Sequence, residues 1–375
     1  MDKYIDNLES KVLSFGTEKR LSWEKEHKLY SVHFEVTPKC NFRCVHCYLQ
    51  KNHRDEELPF GDIVSILDML YDRGVLFITF TGGEIFSRTD FMDIYMYAKK
   101  KGFIIELFTN GMLIDEDVIS ILAAYPPLLV DITLYGASNN TYEKVTSISG
   151  AFDQVVANCK KLIASNIRVA LKSPMLSLTM PEIDDMKKIA NRLGITFRAS
   201  FEIIPTIDKD DISQLYQLPI ETMLRYEFSE AIKHRTGSNQ IQVKKEDGVS
   251  FVDLKVTRPL FRCKVGAGSC VIDYKGNMFP CMKYRHVGQK ITPSSFDFVW
   301  ESFRKYQQMQ ASESYKCLSC DAYNYCDLCP AEMDSLHGDI EYIDNIQCRI
   351  AHTRKSFYEN GLSIPDAMAQ YYNWA

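Results

Sequence analysis

Val32-His-Phe-Glu-Val36 leads through Thr37-Pro38-Lys39 into Cys40-Asn-Phe-Arg-Cys44-Val-His-Cys47-Tyr48. An apolar run of strand type thus delivers three thiols, at C-x3-C-x2-C spacing, into one short loop. Three thiolates from a single tight loop hold three irons of a 4Fe–4S cube and leave the fourth iron without a protein ligand. Thiolates are the usual protein ligands of such clusters, and an open metal position is where chemistry rather than structure happens. The alternative is a zinc site with His33, His46 or His53 as fourth ligand, although zinc sites usually arrive as paired CxxC units.

Outward from this loop, apolar runs and amphipathic patterns alternate. Strands are expected at 32–37, 76–81, 104–109, 128–135, 167–173 and 195–204, and helices at about 60–72, 90–101, 116–124, 151–165 and 182–193. Pro59 and Pro181 sit at or just before helix starts, and Gly74, Gly102 and Gly194 follow helix ends. Six such βα steps imply a parallel sheet of an α/β protein. The unusual residues then fall at one end of it. Cys40 to Cys47 follow strand 1, Thr81-Gly82-Gly83-Glu84 strand 2, and Thr109-Asn110-Gly111 ends strand 3. Thr133-Leu-Tyr135-Gly136 ends strand 4, Lys172-Ser173 ends strand 5, and Arg198 lies within strand 6. The C-terminal strand ends are where α/β barrels gather reactive groups.

Composition narrows the function. The chain has 375 residues, 46% hydrophobic and 25% charged, which is globular. Its net charge of −5 argues against a broad phosphate-binding surface, so no nucleic-acid partner is expected. No run of 18 apolar residues exists and the first residues lack a signal-type apolar core, so the expectation is a cytoplasmic protein with no membrane span. That compartment keeps thiols reduced, which makes the twelve cysteines candidate metal ligands rather than disulfides. Only Cys159 stands alone, on a helical pattern, as a buried small hydrophobe.

The three-cysteine loop, with the aromatic Tyr48 after its last cysteine, resembles the radical SAM superfamily. That resemblance implies a partial (β/α)6 TIM-like barrel, open on one side, and S-adenosylmethionine chelating the open iron through its amino and carboxylate groups. Gly82-Gly83-Glu84 matches the family's GGE motif, where backbone must come close to the ligand and a Cβ would block it. Tyr48, Asn110, Thr133 and Lys172 are the further candidate contacts: Tyr48 near the adenine, Thr133 near the ribose, and Lys172 toward the methionyl carboxylate. Tyr135 stands where relatives often carry an Asp.

Cysteines return at Cys263-x12-Gly276-x4-Cys281, with Cys270 between, then at Cys317-x2-Cys320-x5-Cys326-x2-Cys329 and Cys348. Val271 to Phe279 reads as a β-hairpin turning at Lys275-Gly276-Asn277, with Cys270 just before its first strand. This layout resembles the SPASM extension of radical SAM enzymes, which carries two auxiliary 4Fe–4S clusters; that pattern usually has x3 where Cys326 and Cys329 have x2. The family's interleaved ligation implies one cluster on Cys263, Cys270, Cys281 and Cys329 and another on Cys317, Cys320, Cys326 and Cys348. A zinc ribbon over 317–329 is the alternative, and it explains neither Cys348 nor the hairpin cysteines. The expected organisation is an N-terminal extension (1–30), the barrel (31–205), a bridging region (206–258), the SPASM domain (259–350) and a C-terminal helix or tail (351–375).

Through the resemblance, the expected activity is reductive cleavage of S-adenosylmethionine to a 5′-deoxyadenosyl radical, followed by oxidative modification of a peptide or protein substrate through a thioether, carbon–carbon or related crosslink. A flavodoxin or ferredoxin is the expected low-potential donor, and the peptide is either presented by a separate leader-peptide-binding protein or recognised directly by the barrel and bridge. Three alternatives stand beside it: a formylglycine-generating sulfatase maturase, a tetrapyrrole-modifying enzyme and a non-catalytic iron–sulfur electron carrier. The first of these families places an Asp directly after the cysteine matching Cys281, where this chain has Met282.

Overall fold

The computed structural model describes residues 16–49, 56–207, 215–235 and 258–372. His53, named in the sequence as a candidate zinc ligand, lies outside them. The chain divides into two compact units, residues 1–217 with 264–304 and residues 218–263 with 305–375.

In the first unit the six expected strands form: β1 (Ser31–Thr37), β2 (Phe77–Gly82), β3 (Ile104–Thr109), β4 (Leu129–Thr133), β5 (Val169–Pro174) and β6 (Phe197–Ser200). They pair in parallel and in chain order, as in a partial α/β barrel. The strand expected at 195–204 shrinks to four residues, and a helix at Asn139–Thr146 was missing from the pattern. That helix is polar, and its start is marked by Ser138 accepting from Thr141 N.

The two faces of the sheet differ sharply. Val32, Phe34, Val36, Ile78, Phe80, Ile105, Leu107, Val130 and Ile132 are fully buried. They lie on the side of the helices, where Phe80 meets Phe91 edge to face at 5.7 Å. Each such side chain contributes about 1.5–3 kcal/mol on burial. Alternate residues point the other way and are largely polar: His33 and Glu35, Thr79, Glu106, Asp131 and Thr133, Lys172 and Arg198. A parallel strand buried on both sides reads as continuous apolar sequence, so this alternation marks a polar barrel interior.

The expected hairpin forms as β7 (Ser269–Ile272) and β8 (Asn277–Phe279), followed by β9 (Gln289–Lys290). It joins the barrel sheet, giving the order β6-β5-β4-β3-β2-β1-β7-β8-β9. Cys270 lies inside β7, opposite Val32 of the parallel β1, and not ahead of the strand as the sequence suggested. The 259–350 segment is therefore shared between the two units.

The second unit is helical. Helix Ile220–Arg235, from the expected bridging region, packs with Asn345–Asn360 and Ile364–Tyr372 around Leu224, Phe228, Ile350, Phe357, Ala367 and Met368. Phe228 and Phe357 stack at 4.0 Å. Arg354 joins the same helices by donating to Glu227 at 3.0 Å. No helix among the described residues is long and apolar enough to cross a membrane.

Candidate active site

The cysteine loop is held by the strands that follow it. Gly83 N donates to Thr37 O and Glu84 N to Lys39 O, both at 2.8 Å. A Cβ at Gly82 would stand 2.2 Å from Thr37 O, and one at Gly83 2.3 Å from Lys39 O. The close approach these glycines serve in the structure is backbone against backbone, beneath the loop. Gly82 also has φ 140°, a region open to glycine and strained for other residues.

Glu84 is 1% exposed, and its carboxylate accepts from Thr109 Oγ1 (2.6 Å), Asn110 N (2.6 Å) and Phe86 N (3.2 Å). Burial pushes its pKa up to about 7 against the pull of those three donors. Asn110 carries the link onward: its Nδ2 donates to Asn41 Oδ1 at 2.7 Å and lies 3.9 Å from Cys40 Sγ. The structure therefore brings Gly82, Gly83, Glu84 and Asn110 together against Cys40.

The three thiols fit a cluster. Burial raises Cys40 to about 12, Cys47 to about 11 and Cys44 well above the ordinary range; Cys47 adds to the rise of both Cys40 and Cys44, and Cys40 to that of Cys44. Thiolates so placed cost too much to form alone, and a metal that displaces their protons supplies the missing positive charge. Donors are already aimed at the sulfurs: Phe42 N at Cys40 Sγ (3.3 Å) and the Tyr135 hydroxyl at Cys44. Tyr135, noted in the sequence only as a departure, thus touches the loop itself. His46, half-buried in the same loop, has its pKa lowered by desolvation to about 4, and its Nδ1 is unpartnered among the described residues. His33 instead packs its ring against Phe108 at 6.0 Å.

Tyr48 turns into the barrel. Its hydroxyl donates to Glu35 Oε1 at 2.6 Å, and the Arg285 guanidinium both pairs with Glu35 and lies 5.1 Å from the Tyr48 ring. Glu35 and Arg285, 250 positions apart, carry no sequence signal of their pairing. Lys172 lies 3.3 Å from Asp131 Oδ2 and 3.0 Å from the centre of the Phe108 ring. Burial outweighs the attraction of Asp131 and lowers the Lys172 pKa to about 8. Arg198 pairs with the same carboxylate, while Asp131 Oδ1 has no partner among the described residues. Thr133 offers its carbonyl to the Tyr142 hydroxyl at 3.3 Å. Asp131 was the residue sequence reading passed over, though Val-Asp-Ile-Thr in a parallel strand was its signal.

In the second unit Cys317, Cys320 and Cys326 come from two short 3₁₀ turns, Lys316–Ser319 and Tyr323–Tyr325, and the residues just after them. Cys348 comes from helix Asn345–Asn360. Burial raises its pKa to about 11, and the charges of Cys317, Cys326 and Cys320 add to this, so the four thiols share one neighbourhood. Arg262 ties the turns by donating to Tyr323 O and Cys326 O at 2.7 Å each. Cys263 and Cys329 also belong to this unit, whereas Cys270 and Cys281 belong to the first. Cys270 is 2% exposed, and burial alone raises its pKa.

Three thiols stand beyond the first strand of this open α/β barrel, and residues 34–193 match the Radical SAM superfamily. Over those residues the chain is similar to that superfamily. It is 23% identical over 325 residues to the AdoMet-dependent heme synthase of Methanosarcina barkeri, covering 82% of this chain and 92% of that protein. To the mycofactocin maturase MftC of Mycobacterium ulcerans it is 28% identical over 307 residues, covering 78% and 80%. The fold is similar to that of Streptococcus suis SuiB, solved bound to its precursor peptide SuiA, with TM-score 0.65, 15% identity and coverage of 88% and 80%.

Proposed function

We propose that this enzyme oxidatively modifies a ribosomally made peptide and uses two auxiliary 4Fe–4S clusters besides the one on Cys40, Cys44 and Cys47. The observation that carries the reading is the second gathering of four thiols, Cys317, Cys320, Cys326 and Cys348, in a chain whose barrel already holds the first. MftC, a maturase, and SuiB, solved with a precursor peptide, support the substrate class. Met282 speaks against formylglycine generation: its thioether takes no proton, and Arg285 Nη2 lies 3.4 Å from its sulfur.

When bound, the cluster and S-adenosylmethionine supply reductive cleavage of the sulfonium and hydrogen abstraction from the substrate. The chain's own residues set the stage for that chemistry. Glu84 and Asn110 fix the cysteine loop, and Gly82 and Gly83 let it close onto β2. Glu35 and Arg285 anchor Tyr48, while Lys172 and Arg198 bring positive charge to the barrel interior beside Asp131. A flavodoxin or ferredoxin supplies electrons, and a separate leader-peptide-binding protein presents the substrate.

The test incubates anaerobically reconstituted enzyme with S-adenosylmethionine, a reductant and short peptides encoded beside its gene. Expected is 5′-deoxyadenosine together with a peptide that has lost hydrogen and gained a crosslink by tandem mass spectrometry. Unchanged peptides alongside conversion of a supplied tetrapyrrole would replace this reading with the porphyrin one.

A further inference from the structure

Lys172 and Arg198 stand side by side on β5 and β6, and both reach the same oxygen, Oδ2, of Asp131 on β4. Asp131 is fully buried, yet its Oδ1 has no partner among the described residues. A carboxylate kept for stability alone would spread two cations over its two oxygens, or take one guanidinium as a fork. Crowding both onto one oxygen offsets little of the cost of burying charge. The cations also keep donors in hand. An ammonium carries three N–H groups; that of Lys172 meets Asp131 at 3.3 Å and lies over the Phe108 ring at 3.0 Å. Arg198 meets Asp131 through Nη2, and 62% of its side chain is exposed. The neighbouring acids are engaged elsewhere. Glu35 pairs with Arg285 and Tyr48, and Glu202, just past β6, pairs with Lys283. Glu106 lies one row back along β3, level with Leu129, and pulls on Lys172 less than Asp131 does. His33, whose pKa is lowered by burial and by Lys172, adds no charge at neutral pH.

We propose that Lys172 and Arg198 together bind a carboxylate of the peptide substrate, so that the enzyme selects peptides carrying an acid within reach of the modified residue. The inference deepens the peptide-substrate reading above and rests on it. Asp131 is the positioning residue: by drawing both cations to one oxygen it sets them close enough for one carboxylate to span them. A partly buried cation with donors unused gains most from a ligand that brings the opposite charge and acceptors at once. S-adenosylmethionine carries a carboxylate too, and the family resemblance turns Lys172 toward it. Arg198 favours the peptide. It lies on β6, the edge strand at the opposite end of the parallel series from β1, which leads into the cysteine loop. Its exposure on that edge suits a ligand arriving from outside the barrel.

The test uses the reconstituted full-length enzyme and the peptide encoded beside its gene. Versions of that peptide have each Asp or Glu changed in turn to its amide, and one has an amidated C-terminus. Arg198 is exposed enough for Arg198→Gln to fold as the wild type does. Expected is a KM for the unaltered peptide raised at least about tenfold, the loss of a charge-assisted contact. Affinity for S-adenosylmethionine, titrated separately, should stay at the wild-type value, and Arg198→Lys should recover part of the loss. One altered peptide should show the same loss with wild-type enzyme and no further loss with Arg198→Gln, the coupling that marks a direct contact. Whether that peptide lacks a side-chain acid or the terminal one identifies the carboxylate. An unmoved KM, or losses that simply add for every peptide, overturns the inference. So does S-adenosylmethionine binding weakened by the same factor, which would give both cations to the cofactor. Should the wild-type enzyme modify none of the peptides, the peptide-substrate reading itself fails and takes this inference with it.

Discussion

Cys40, Cys44 and Cys47 come from a single loop locked under β1, β2 and β3 by backbone pairs and one buried carboxylate. Cys317, Cys320, Cys326 and Cys348 come from two turns and a helix, only partly buried and bordered by Asp321, Lys355 and Arg262. The first set offers three thiols and a polar barrel interior to work against. The second offers four and a rim of charge. Under the proposed reading, the difference teaches that a reactive centre is specified by what surrounds the missing ligand, and an electron-carrying one by what touches the sulfurs.

The sharpest way to break the comparison is to remove each set. Cys40, Cys44 and Cys47 changed together to Ala should abolish 5′-deoxyadenosine formation and reduce iron from about twelve to about eight per chain. Cys348→Ala should still form 5′-deoxyadenosine while modified peptide is lost. Cleavage surviving in the triple variant would contradict the assignment of the first loop.

Next in size is the clamp under the first loop. Glu84→Ala leaves the Thr109 hydroxyl and the Asn110 and Phe86 amides without their acceptor, so it should cost about 3 kcal/mol of stability and weaken S-adenosylmethionine binding as well. Denaturant unfolding and a binding titration on one preparation check both. Wild-type stability with weakened binding would return Glu84 to the pure ligand contact its motif suggested.

Much of this was legible in the sequence, for identifiable reasons. Strands β1 to β5 and their helices were readable because one face of each is continuous apolar surface, and Gly102 and Gly194 close their helices in the left-handed conformation. The site residues at strand ends followed from that placement. Non-local pairings were not readable: β7 joining β1, which draws Cys270 into the sheet, and Arg285 reaching Glu35. Nothing in either local sequence records its partner. Asp131 and Lys172 lie between these cases, since charge alternating in parallel strands signalled a polar interior before any contact was known.

Lys172 gives a smaller, pH-dependent test of that interior. Its folded pKa of about 8 lies below the ordinary 10.5, so between those values the unfolded chain binds a proton that the folded chain has shed. Stability from this residue therefore rises as pH climbs from about 8 to about 10.5, by up to about 3 kcal/mol. Lys172→Met should remove that part of the slope when urea midpoints are compared at pH 7.5 and about 10. An identical slope in both proteins would mean that Lys172 is solvated rather than held against Phe108 and Asp131.

The smallest effect separates a cluster cysteine from a sheet cysteine. Cys270 completes the sequence's set of eight, which is why the resemblance made it a ligand. Its place in β7 supports a second reading: a small buried side chain beside β1, its pKa raised by burial with no other cysteine's charge contributing. Replacement by Ala removes one sulfur from that packing and should cost ~1 kcal/mol, far less than the loss of a cluster. Iron should stay at the wild-type value and modified peptide should still form. A ligand would behave otherwise: its loss would change the iron content or the potential, preserve uncoupled S-adenosylmethionine cleavage and suppress product. Counting iron and measuring 5′-deoxyadenosine and product together in Cys270→Ala decides between the two. Retained product would withdraw Cys270 from the expected set of ligands.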